Sequence, residues 1–264
     1  MLSIEHISKT FNRGLITEKI ALADVHLRLN PGDFATIIGG NGAGKSTTLN
    51  AVAGVFPVDS GSILIDGVDV THLPEHKRAQ YLGRVFQDPM TGTAATMNIE
   101  ENMALAKRRG QCRGLKWGIS AMEREMYREQ LYTLGLGLEN RMASKVGLLS
   151  GGQRQALTLL MATLRSPKLL LLDEHTAALD PKTAANVLEL TEKIVATQNL
   201  TAMMVTHNMR DAIAIGNRLI MMHEGRVVVD VSGEAKKRLT REEVMNLFEA
   251  AANTELDGDK LLLS

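Results

Sequence analysis

The sequence has one cysteine, Cys112, so no intramolecular disulfide can form and a cysteine-based zinc site has too few thiols. That usage suits a reducing, cytosolic compartment. No apolar run approaches the roughly 18 residues needed to cross a bilayer. The first residues, Met1-Leu2-Ser3-Ile4-Glu5-His6, lack the charged-then-apolar pattern of a secretory signal. If the chain works at a membrane, another protein does the spanning. Net charge is missing too: 30 Lys+Arg balance 30 Asp+Glu, which gives no electrostatic case for a nucleic-acid partner. Aromatic residues are only 3% of the chain, so Phe11, in a loop-like stretch, stands out. At 264 residues there is ample chain for a hydrophobic core, as one large domain or two small ones.

What is present centres on Gly39-Gly40-Asn41-Gly42-Ala43-Gly44-Lys45-Ser46-Thr47. The stretch fits G-x-x-x-x-G-K-[ST], with Gly39, Gly44, Lys45 and Ser46 in the required places. A triphosphate has to be wrapped closely by backbone, and glycines let N–H groups turn against its oxygens. The helix that follows adds the partial positive charge of its N-terminus. Lys45 is placed for the β- and γ-phosphates of that triphosphate and the Ser46 hydroxyl for Mg²⁺. Phe34 to Ile38 precedes the loop as a buried strand, and Thr47 to Val55 follows with Leu49, Val52 and Ala53 at helical spacing.

The flanking segments read as strands and turns. Leu2 to Asn30 alternates as one-sided antiparallel strands, with Phe11 to Gly14 between them. Phe11 is either a stacking partner for adenine or a partly buried loop aromatic. Ser62 to Val70 breaks at Asp66-Gly67, a hairpin signal, and Leu219 to Asp230 turns at Glu224-Gly225. Tyr81 to Phe86 is a short strand. Residues 97–165 look mostly helical, with Met122, Met126, Leu131 and Leu134 on one face of a helix from Ser120. Lys107 to Lys116 holds five basic residues and no acid, either a solvated loop or a patch facing phospholipid heads or a partner. Gly233 to Ala252 reads as one terminal helix, and Thr254 to Ser264 as a tail.

Leu149-Ser150-Gly151-Gly152-Gln153, followed by Arg154-Gln155, resembles the signature sequence of the ATP-binding-cassette (ABC) ATPases. Ser150, Gly151 and Gly152 open a helix from about Gln153 to Leu164, whose dipole and N–H groups suit a γ-phosphate. The plainer alternative is a helix cap made by Ser150. Lys168 to Glu174 contains four consecutive leucines, as in a strand buried on both faces of a parallel sheet. Its two terminal acids lie where ligands bind in open α/β sheets.

The resemblance covers Leu2 to about Phe248 and implies a fold and a set of roles. The fold is α/β: a nucleotide-binding core, an antiparallel β subdomain and a helical subdomain of about 88–166, in a domain spanning 1–248 with a tail at 249–264. Gly40, Asn41, Gly42, Ala43 and Thr47 complete the phosphate loop. Asp173 and the loop glutamine Gln87 organise Mg²⁺, Glu174 is the general base, and His207 is the switch histidine at the γ-phosphate. Ser150, Gly151, Gly152 and Gln153 face ATP held by a second copy, and Asp180 touches that copy. At His175 the family usually has proline; the histidine is either a proton relay or a loop residue at the dimer face. The implied activity is ATP hydrolysis in a homodimer or paired cassette, coupled to transmembrane permease subunits and a solute-binding protein at the inner face of the cell membrane, without nucleic acid. The run from Asp173 to Asp180 and the loop after Phe11 resemble cassettes of the branched-chain amino-acid type, hence import of amino acids or similar small solutes. A soluble, non-transport cassette ATPase is the alternative.

Overall fold

The computed structural model describes residues 1–111 and 118–250. The cysteine, the end of the basic run at 112–116 and the tail at 254–264 lie outside the described residues. The chain divides into two units, one formed by Met1–Pro74 with the segment from Thr201 onward, the other by Glu75–Leu200.

In the first unit, β1 (Leu2–Phe11) and β2 (Lys19–Leu29) pair antiparallel, β3 (Phe34–Gly39) leads into α1 (Lys45–Ala53), and β4 (Ser60–Ile65) and β5 (Val68–Asp69) form a hairpin. The hairpin turns through Asp66 at φ 54° and Gly67 at φ 79°, the conformation that a two-residue turn matching strand twist requires. β4 also pairs antiparallel with β1, so the expected antiparallel sheet runs β2-β1-β4-β5. Leu2, Ile4, Ile7, Val25, Leu27, Ile63 and Ile65 form its buried side.

The second unit contains α2 (Glu75–Arg78), β6 (Leu82–Val85), α3 (Ile99–Lys107), α4 (Ala121–Tyr132), α5 (Gly151–Thr163), β7 (Leu169–Asp173) and α6 (Pro181–Thr197). β6 and β7 are parallel neighbours, with Val85 beside Leu172. Ile99, Met103, Tyr127, Leu131, Leu138, Val146, Leu157 and Leu160 pack into one apolar cluster. Met122 does not join it and is 84% exposed. The buried residues of α4 are Tyr127 and Leu131, with Leu134 joining the cluster just past the helix end, and five residues back from Tyr127 the helix has turned away from it.

The chain then returns to the first unit with β8 (Thr201–Val205), α7 (Met209–Ala214), β9 (Arg218–His223), β10 (Arg226–Ser232) and α8 (Gly233–Lys237). β3 lies parallel between β8 and β9, which explains its unbroken burial from Phe34 to Ile38. The single terminal helix expected over 233–252 is interrupted at 238–240 before helix resumes at 241–250. Thr240 and Glu243 exchange hydrogen bonds there: the Thr240 N–H donates to Glu243 Oε2 at 2.8 Å, and the Glu243 N–H donates to Thr240 Oγ1 at 3.2 Å. Reciprocal bonding of this kind starts a helix.

Candidate functional site

In the first unit the site grows from the C-terminal edge of β3. Gly39 has φ 152°, and a Cβ there would stand far inside contact distance of the Met222 carbonyl on β9. Gly44 has φ 97°, and a Cβ would meet the Ala21 carbonyl at 2.8 Å and Gly225 Cα at 3.2 Å. Both positions therefore require glycine on two counts, left-handed backbone and lack of room. Gly225 also ties the loop down: its N–H donates to the Ala43 carbonyl at 3.1 Å, and its carbonyl accepts from the Ala23 N–H at 2.9 Å. The sequence marks Gly225 only as a hairpin turn, because a tertiary contact gives it this second role.

Lys45 is 8% exposed, and its Nζ donates to the carbonyls of Gly39 at 2.9 Å and Gly40 at 3.0 Å. The ammonium is thus held at the mouth of the loop. Gly40, Asn41, Gly42 and Ser46 are exposed, Thr47 is half-buried, and Ala43 is buried beneath them. Gly44 caps α1 in left-handed conformation and has no side chain to occupy the first helical N–H groups. Such an end is suited to anions.

His207 lies two residues past the end of β8, and β8 runs parallel to β3 in register, Ile37 beside Val205. The exposed His207 and the phosphate loop therefore emerge at the same sheet edge. Asp211, in the first turn of α7, is pushed above the usual carboxylate range by burial, with His207 acting the other way. Phe11, last in β1, is half-buried and meets Phe56 edge-on at 5.1 Å between ring centroids. Lys9 Nζ lies 5.7 Å from both ring centres and bonds Asp59 at 2.9 Å.

The second unit gathers the acids and the signature sequence. β6 and β7 end side by side, which brings Gln87 to the same edge as Asp173 and Glu174. Gln87 is exposed and the two acids are half-buried. Glu174 has φ 42°, an unusual conformation for a residue with a side chain and one that concentrates at functional sites. Arg84 on β6 lies 4.5 Å from the Phe86 ring centre; burial works against its charge, while Asp173 and Glu75 favour it.

His175 is neither at a surface nor placed to relay protons near neutrality. It is 2% exposed, and burial pushes its pKa from 6.5 down to about 4. Its Nε2 lies 3.1 Å from Thr191 Oγ1, whose one proton goes to the Val187 carbonyl at 2.7 Å. The histidine is thus the donor, a neutral Nε2–H tautomer fixed to α6. This corrects the relay and the dimer-face placement: His175 does lie in a loop, and its buried side chain anchors the turn after Glu174.

Ser150 is the N-cap of α5. Its Oγ accepts from the Gln153 N–H at 3.3 Å, and Gln153 Oε1 accepts from the Ser150 N–H at 3.2 Å. A Cβ on Gly151 would touch Leu179 at 3.3 Å, and one on Gly152 would overlap the Thr183 methyl. Arg154 donates to the carbonyls of Gly147 at 3.1 Å and Leu149 at 3.3 Å, and Gln155 Nε2 reaches the Phe86 carbonyl at 3.3 Å. Asp180 caps α6, and hydrogen bonds from Thr183 lower its pKa.

Comparison with known proteins shows what the chain is similar to. The family model described as ABC transporter matches residues 22–177. The tyrosine transport ATP-binding protein of Clostridioides difficile is 45% identical over 95% of this chain and 100% of its own. The methionine import ATP-binding protein of Bartonella henselae is 35% identical over 86% of this chain, which spans 64% of that protein's length. Among solved structures, a dimeric ATP-binding cassette bound to ADP and Pi in a post-hydrolysis state superposes with TM-score 0.74 at 29% identity, covering 88% of this chain and 98% of that one. The ADP conformation of another ABC transporter cassette gives TM-score 0.77 at 26% identity, covering 94% and 98%.

Proposed function

This chain belongs to the ABC transporter family as an ATP-binding, ATP-hydrolysing subunit, and from that premise we propose how its residues divide the work and what it drives. The observation that carries the reading is the phosphate loop itself, where Lys45 sits 2.9–3.0 Å from two loop carbonyls beneath the uncapped start of α1. Hydrolysis of this kind is mainly positioning and charge stabilisation. Gly39, Gly40, Asn41, Gly42, Ala43, Gly44 and Thr47 wrap the phosphates, and Lys45 neutralises their outer charge. Phe11 stacks on the base. Glu174 orients and deprotonates the attacking water, and His207 donates to the γ-phosphate.

The oxygen donors at Ser46, Gln87 and Asp173 suit Mg²⁺, a hard cation commonly bound by one or two carboxylates with substrate phosphates. Among the described residues no group of three or more His, Cys, Asp or Glu could hold a metal. Mg²⁺ would supply charge neutralisation at the β- and γ-oxygens.

Ser150, Gly151, Gly152 and Gln153 engage the nucleotide of a second copy, and Asp180 contacts that copy. The pair couples to permease subunits at the cytoplasmic face of the membrane, and a solute-binding protein delivers the cargo. Among the described residues no helix is long and apolar enough to cross a membrane. The cargo is an amino acid or a similar small solute: relatives carry the names tyrosine transport, methionine import and spermidine/putrescine import. The expected branched-chain type is one member of this class.

The test is assembly. Glu174→Gln should keep ATP intact and accumulate an MgATP-dependent dimer in size-exclusion chromatography with light scattering, and adding Ser150→Arg should abolish that dimer. A Glu174→Gln protein that binds ATP normally yet stays monomeric at high concentration would sink the paired-site model.

A further inference from the structure

The sequence gives Lys19 no role, and the structure puts it beside the phosphate loop. Lys19 opens β2 directly opposite Phe11 in the β1–β2 register. The turn between them is folded on itself: the Leu15 N–H donates to the Asn12 carbonyl at 3.0 Å and the Glu18 N–H to the Leu15 carbonyl at 2.9 Å. The Gly14 N–H donates to Glu18 Oε2 at 2.6 Å, so the adjacent carboxylate is engaged within the turn. Lys19 is thereby anchored at its backbone while its side chain extends along the loop. Its Nζ lies 3.4 Å from where a Cβ on Gly42 would stand. Gly42 is exposed and has φ 82°.

Among the described residues, Lys19 has no ion-pair or side-chain hydrogen-bond partner, whereas Lys45 is tied to the Gly39 and Gly40 carbonyls. Two ammonium groups therefore flank one glycine loop, and only one is engaged by the protein. A second cation over exposed loop backbone is a place for an anion.

We propose that Lys19 is a nucleotide-binding residue that contacts a phosphate of the bound nucleoside di- or triphosphate over Gly42. Its position across from Phe11 places it between the base-stacking residue and the phosphate loop. The contact is common to ATP and ADP, so it adds ground-state binding and acts on KM more than on kcat. The proposal rests on the phosphate-loop reading.

Titration of the full chain with MgATP and with MgADP, at about 50 mM and about 300 mM salt, tests it. For an exposed charge contact, Lys19→Gln should weaken both nucleotides about 3- to 10-fold at the lower salt. The loss should shrink at the higher salt, and Lys19→Arg should restore most of it. Steady-state kinetics should assign the change to KM. Lys19→Gln binding within two-fold of wild type at both salts would overturn the proposal. Weakening of ATP alone would overturn the shared-phosphate placement. Lys45→Ala is the control: normal nucleotide binding by that variant would refute the phosphate loop itself, a separate failure from that of Lys19.

Discussion

Two helices begin at glycine-rich sequence, and their first turns are built differently. At α1 the cap is Gly44, left-handed at φ 97°, with no side chain to spend on the first N–H groups. At α5 the cap is Ser150, in extended conformation, and it exchanges two hydrogen bonds with Gln153. The first start is shaped by backbone conformation, and its cap offers no side-chain acceptor. The second satisfies part of itself, so a phosphate that engages it competes with a bond already made. Helix dipole alone would make the two ends equivalent; the caps separate them into a standing site and a conditional one.

The sharpest way to break that contrast is chemical. Lys45→Ala should lower kcat/KM by roughly 10²-fold or more, as loss of a positioned charge donor does, and nucleotide binding should fail with it. Glu174→Gln should cost about 10²–10⁴ in turnover with ATP binding retained. Nucleotide titration beside turnover on the same samples separates them. A Lys45→Ala protein that binds but does not turn over would mean the α1 end holds nucleotide without its lysine.

Much of this contrast is legible in the sequence, because glycine spacing, a cap followed three residues later by glutamine, and two acids closing an apolar run are local patterns. The Asp66-Gly67 and Glu224-Gly225 turns are legible for the same reason, both adopting positive φ at both residues. Tertiary neighbours hide the rest. His175 is a loop residue as read, but its burial shows only once Thr191, 16 residues on, is seen to hold it. Gly225 and Lys19 gain their meaning only from the loop they touch. The face of α4 is misjudged at Met122 because several methionines fit a loose apolar pattern and only packing selects among them.

The packing behind the conditional site can be tested by pH. His175 is neutral when folded, with its pKa near 4, against 6.5 when unfolded. As pH falls below 6.5 the unfolded state takes up a proton and the folded state does not, so the contribution of His175 is fully present above 6.5 and declines towards 4. The change is on the order of 3 kcal/mol. Urea unfolding at several pH values should show that slope in wild type and a shallower one in His175→Gln. Equal slopes would mean the histidine is solvated in the folded protein. Gly152→Ala should follow, destabilising by about 1–3 kcal/mol through overlap with the Thr183 methyl. Thr183→Ser removes that methyl and should recover most of the loss. Additive effects in that double-mutant cycle would show that the two positions do not touch.

The smallest effect bears most directly on the contrast. Ser150→Ala removes the Oγ that accepts from the Gln153 N–H at 3.3 Å, and loss of such a cap typically costs about 1 kcal/mol. Gln153 loses its reciprocal partner at the same time, so the first turn of α5 should fray. Amide exchange at Gln153 and Arg154 should then quicken while that of the phosphate loop stays put. Ser150→Asp is the informative companion. An aspartate caps as well as serine, so stability should return to near wild type. Its carboxylate would repel an incoming phosphate, so the MgATP-dependent dimer of the Glu174→Gln background should still fail to form. Stability and assembly therefore part company at one position. If Ser150→Asp restored both, the serine would be a structural cap and no more, and the conditional site would have to be built from Gly151, Gly152 and the helix dipole alone.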